Sequence, residues 1–141
     1  MTAHTYADTR SIARVRETPL LRWALELDGI GSALNGLAYL VAASALGELF
    51  GLPTALLVPA GAFLVAYGAA LIVMSTRREV SAVAVKVVVA ANLIWMVDSL
   101  VVAFSGWFSP TGAGVAWILA QSALVAGFAI TQAAGLRRAR A

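Results

Sequence analysis

The sequence predicts an all-α, membrane-embedded four-helix bundle, on three observations. Hydrophobic residues make up 61% of the 141 positions and charged ones only 12%, with a mean hydropathy of +0.87. Ordinary globular chains carry roughly 45–50% and about 25%. A soluble domain of this size keeps much of its surface exposed and could not cover so much apolar area. Four apolar stretches are each long enough for a helix to cross a bilayer, which takes about 20 residues. The basic residues, finally, cluster at or near alternate connections and are missing from the other two. Helices are expected because lone strands leave backbone groups unpaired in lipid, and the stretches lack the alternation of a β-barrel.

Residues 1–18 read as a polar tail. Residues 19–136 form the helical domain, with spans at about 23–46, 53–74, 80–104 and 112–134, and residues 137–141 form a basic tail. Thr18-Pro19 and Ser109-Pro110 each suit an N-cap followed by proline at the first helical position, and Pro53 plays that part for the second span. Thr76 to Glu79 has capping-box spacing ahead of the third. Gly135 suits the last C-terminus. The first apolar stretch starts too late, and runs too long, for a secretory signal peptide.

Nine arginines and one lysine set the orientation. Arg10, Arg14, Arg16 and Arg22 precede or open span 1. Arg77, Arg78 and Lys86 follow span 2, and Arg137, Arg138 and Arg140 end the chain, while 47–52 and 105–111 hold none. By the positive-inside rule both termini are cytoplasmic. Phe50, Phe104, Trp107 and Phe108 would form an outer aromatic belt, with Trp23 at the inner face. The arginine, alanine, valine and glycine bias fits a GC-rich bacterial genome, and hence a bacterial cytoplasmic membrane.

A faint internal repeat suggests two tandem, parallel helical hairpins. Asn35 precedes Pro53-Thr54 by the spacing that separates Asn92 from Pro110-Thr111, an offset of 57 residues. That register would set Asn35 and Asn92 level, and Asp28 within one residue of Lys86.

Polar residues inside a membrane segment are functional candidates by default. Asp28, Ser32, Asn35 and Tyr39 follow a 4-3-4 spacing and share one helix face. Gly29, Gly36 and Ala43 lie beside them, seven apart, and allow close helix contact. On span 3, Asn92, Trp95, Asp98 and Ser99 fall within roughly 120° of arc, and Gln121 adds a carboxamide on span 4. The blander role for Asn35, Asn92 and Gln121 is to hydrogen-bond between helices. Asp28 and Lys86 form a candidate structural ion pair, unless Lys86 snorkels to the interface. Asp98 lies in the outer third of span 3, far from every predicted basic group. It needs a proton, a cation, water, or a bond to Ser99 or Trp107.

Missing residues exclude much chemistry. With no cysteine there is no disulfide framework, iron–sulfur cluster or thiolate zinc site. The single histidine, His4, lies outside the spans, so haem ligation, H-E-x-x-H zinc chemistry and histidine-activated serines are excluded. An enzyme, a cofactor, a metal site and a nucleic-acid partner are not expected. The expectation is a non-enzymatic structural or accessory membrane component, self-associating or joined to another membrane protein. The alternative is a small proton- or cation-coupled transporter or channel built on Asp98 with Asn92, Trp95, Gln121 and Asn35.

Small multidrug transporters share this size and span number, but their key carboxylate is a glutamate deep in the first helix. Leu27-Asp28-Gly29, Asn35 through Leu40, and Ala133 through Arg138 give the whole chain a different likeness. It resembles the small four-span integral membrane proteins common in actinobacteria. That resemblance implies the same four-span fold and brings no activity with it.

Overall fold

The computed structural model describes residues 14–140. In chain order these form β1 (Arg14–Arg16), α1 (Pro19–Val41), α2 (Ala43–Phe50), α3 (Thr54–Ser75), β2 (Glu79–Ser81), α4 (Ala82–Phe104) and α5 (Gly112–Arg140). The helices α3, α4 and α5 are each long and apolar enough to cross a bilayer, and α1 with α2 qualifies as a fourth, broken span. α1 packs chiefly on α3 and α4 on α5, giving two hairpins joined where α1 also meets α5.

α1 starts where proline and a capping hydroxyl coincide. Thr18 Oγ1 accepts from Leu21 N at 3.3 Å, with Pro19 in the first turn. The straight first span expected over 23–46 is instead broken at Ala42, where α2 turns away by 96°. Contacts made far along the chain hold the bend. Phe50 stacks on Trp117 with centroids 5.8 Å apart. Thr111 donates its N–H to Phe50 O and its hydroxyl to Leu49 O, at 3.0 and 2.7 Å. Phe50 is therefore buried, outside the expected aromatic belt, whereas Trp23, Phe104 and Trp107 are exposed. Gly51, at φ +68°, closes α2 in the left-handed conformation that glycine adopts freely.

Other boundaries move by a few residues. Glu79 lies in β2 and closes no capping box, because α4 begins at Ala82 with Ser81 accepting from Ala84 N. Thr111, not Ser109, caps α5 by accepting from Gly114 N. Pro53 is an N-cap residue, one place before the helix. Gly135 does not end the last helix; it is buried against Leu21, where a side chain would meet backbone. α5 runs on to 29 residues, about 43 Å at 1.5 Å per residue, which exceeds a hydrocarbon core of about 30 Å.

Residues 14–18, expected as part of a polar tail, join the folded body. Val15 and Val80 face each other across the antiparallel β1–β2 ribbon. Both are 5% exposed, in a core with Leu21, Leu25, Leu71, Val85 and Leu136. Glu17 follows, with its N–H bonded to Arg78 O and its Oε1 buried without a partner. Burial pushes its carboxyl from 4.5 up to about 7, with Arg22 opposing and Glu26 adding to the rise. The folded chain therefore holds a proton that the unfolded chain releases. Stability falls as pH rises from 4.5 towards 7, and the loss is complete above 7. Glu17→Gln should accordingly raise the melting temperature in detergent above pH 7 and leave it unchanged below 4.5. A gain of equal size at both ends of the range would contradict this assignment.

α1 and α3 touch backbone to backbone through the expected Gly29 and Gly36 and through two partners on α3, Gly68 and Gly61. A methyl added at Gly36 would sit 2.6 Å from Gly61 O, and one at Gly68 2.5 Å from Gly29 O. Ala43, third in the seven-residue spacing, lies past the break and outside this contact.

Candidate functional site

The polar face of α1 turns inward as its spacing predicts, and each of its members finds a partner. Asp28, 1% exposed, is the centre. Its Oδ2 accepts from Asn92 Nδ2 on α4 at 2.8 Å and from Gln132 Nε2 on α5 at 2.7 Å. Its Oδ1 accepts from Ser32 Oγ, one turn along α1, at 3.2 Å. The two carboxamides close a triangle, since Asn92 Nδ2 also donates to Gln132 Oε1 at 2.9 Å. Tyr67 of α3 donates its hydroxyl to Asn92 Oδ1 at 3.1 Å and to Val88 O at 3.3 Å. One carboxylate thus ties α1, α4 and α5 directly, and α3 through Asn92.

A second polar tier lies farther along α1. Asn35 Nδ2 donates to Gln121 Oε1 over a long 3.5 Å. Trp117 Nε1 donates to Tyr39 OH at 2.8 Å. Between the tiers a cavity of about 120 Å³ reaches Asp28, Asn35, Asn92, Trp95 and Gln121. A second, of about 190 Å³, holds Tyr39, Asp98 and Ser99. Trp95 and Gln121 line both. Aromatic stacking of Phe63 on Trp95 and Tyr67, at 6.0 and 5.6 Å, steadies one side of the first cavity.

The expected constellation therefore divides. Asn35, Asn92, Trp95 and Gln121 gather round the first cavity, while Asp98 is exposed on α4 and reaches only the second. Asp28 and Lys86 do not pair: Asp28 accepts its bonds from Asn92, Gln132 and Ser32, and Lys86 is exposed. Geometry explains this. Lys86 precedes Asn92 by six residues, about 9 Å along the axis and roughly 240° round it. The 57-residue register fails for the same reason. Asn92 stands level with Asp28 and not with Asn35, seven residues farther along α1.

Sequence reasoning missed Gln132 and Tyr67, yet each left a trace. Gln132 lies eleven residues after Gln121, about three turns, so the two share a face of α5. Tyr67 is the one residue with a polar side chain between Thr54 and Ser75, placed mid-helix and away from the interfacial positions tyrosine favours. His4 and Arg10 lie outside the described residues.

Chemically, the cluster is a carboxyl surrounded by donors, with no basic side chain as its partner among the described residues. A charge so placed in an apolar bundle is balanced only by a proton or a cation. No family model, curated protein or solved structure matches the chain.

Proposed function

We propose that the protein is a multi-pass, non-enzymatic protein of the bacterial cytoplasmic membrane, with both ends in the cytoplasm, and that Asp28 carries a proton or small cation. The observation that carries this reading is an inverted distribution of polarity. Asp28, Asn92 and Gln132 are 1%, 2% and 0% exposed, while Leu34, Ile94 and Ile130 are 62%, 60% and 70% exposed on the outside. Water would penalise such an exterior, whereas lipid is its natural solvent. The arginines support the orientation: those of β1, early α1, the α3–β2 connection and the end of α5 all lie at one end of the helices.

The transport role read as the alternative for Asp98 passes to Asp28, because its buried carboxyl adjoins a cavity that shares Trp95 and Gln121 with the second one. The accessory reading has one specific observation in its favour. Among the described residues, every hydrogen bond made to Asp28 comes from within the bundle, so the cluster also serves as glue, its two interhelical bonds worth about 0.6–2 kcal/mol each. Proteoliposomes separate the two. Under a proton or alkali-cation gradient the wild-type protein should pass flux. Asp28→Asn should abolish it with an unchanged elution profile, and Asp98→Asn should retain it. Absence of flux in the wild type under every such gradient would leave the accessory role.

A further inference from the structure

At the arginine-bearing end of the bundle, and independent of Asp28, lies a cleft of about 460 Å³ lined by Arg16, Glu17, Arg22, Thr76, Arg77 and Arg78. The guanidinium groups come from three places: β1, the first turn of α1 and the α3–β2 connection. The ribbon and caps hold those places together. Arg16 is paired across the ribbon with Glu79, Glu17 N donates to Arg78 O at 3.0 Å, and Arg77 N to Met74 O at 3.2 Å. Four like charges sharing one cleft repel one another and favour a counter-anion. Planar guanidinium forks match phosphate oxygens two at a time. The single acid on the lining, Glu17, keeps one buried oxygen unpartnered.

We propose that this cleft binds a phosphate group, carried by an anionic phospholipid headgroup or by a free phosphate. Its place at the helix ends is where headgroup phosphates would lie if the helices span a bilayer, and basic pockets on the cytoplasmic side are suited to them. Glu17 gives the site a pH dependence. Its charged neighbours are Arg16 and Glu79 on the ribbon, Arg22 and Glu26 on α1, and Arg77 and Arg78 on the connection. Deprotonated, Glu17 repels the anion. Protonated, it is neutral and can donate its O–H to a phosphate oxygen. Binding should therefore strengthen as pH falls through about 7.

The test uses the full chain in phosphatidylcholine nanodiscs, in two arms. In one, phosphatidylglycerol is added and its retention measured by native mass spectrometry; its phosphodiester keeps one charge across this pH range. In the other, inorganic phosphate is titrated by calorimetry at fixed pH. Saturable binding is expected in at least one arm. Arg77→Gln with Arg78→Gln should weaken it about tenfold or more, because it removes charge-assisted bonds to the anion. Arg137→Gln with Arg138→Gln, outside the cleft, should leave it intact. Saturation with lipid alone assigns a headgroup, and with inorganic phosphate alone a soluble phosphate. No saturation in either arm overturns the proposal. So does equal weakening by the two pairs of substitutions, which would mean diffuse surface charge.

Discussion

Replacing Gly36 with leucine should cost the bundle about 3 kcal/mol or more, at or above the top of the usual range for overpacking. The penalty is large because the obstacles are backbone atoms. A Cβ at this position would lie 2.6 Å from Gly61 O and 2.8 Å from Val65 N, and no rotamer change moves either. The reciprocal contact is as tight, with a Cβ at Gly61 falling 2.8 Å from Gly36 O. Relief requires α1 and α3 to separate, which also parts Gly29 from Gly68 and opens the wall of the Asp28 cavity. Gly127→Leu is the matched control, since nothing lies within 4 Å of that site. Unfolding in detergent, followed by loss of helix signal, compares the two. Equal stabilities would mean that the helices do not meet through these glycines.

Asp28→Leu should be nearly as damaging, for a different reason. It leaves Asn92 and Gln132 in place, 2% and 0% exposed, with donors that have lost their acceptor. Each stranded buried donor costs about 1–3 kcal/mol. Adding Gln132→Leu removes one stranded donor but also the Oε1 that accepts from Asn92 Nδ2, so the two losses should not simply add. A double-mutant cycle on Asp28 and Gln132 should therefore show coupling above about 1 kcal/mol. The same cycle on Asp28 and Lys86 should show none, as Lys86 is exposed on another face of α4. Coupling to Lys86 would restore the ion pair and displace the carboxamide cluster.

Those two cycles differ because helix periodicity fixes which residues face inward but not what they meet. Which residues of α1 face inward is a matter of 3.6-residue periodicity, so Asp28, Ser32, Asn35 and Tyr39 were legible as one face. What they face depends on how α4 and α5 are rotated about their own axes. α4 has apolar residues on every side, and nothing local fixes that rotation. Asn92 and Lys86 were thus equally available to Asp28 on paper. Apolar length similarly marked four candidate spans but not the break at Ala42 within the first, where the bend is held by Thr111 and Trp117 from the far side of the chain. The β1–β2 ribbon is three residues a side, and alternation over so short a run does not stand out. Gly61 and Gly68 were as visible as Gly29 and Gly36, but their seven-residue spacing gains meaning only once the two helices are known to be neighbours.

On the membrane proposal, lipid bathes the outer faces of the helices while polar groups turn inward. The chain contains no cysteine, so single cysteines at Leu34, Ile94 and Ile130 can each take a nitroxide label in nanodiscs. All three labels should relax strongly with oxygen, which dissolves in lipid, and weakly with a water-soluble nickel chelate. If instead the chelate relaxes all three as strongly as it relaxes a label at exposed Arg138, those faces lie in water and the membrane reading is wrong.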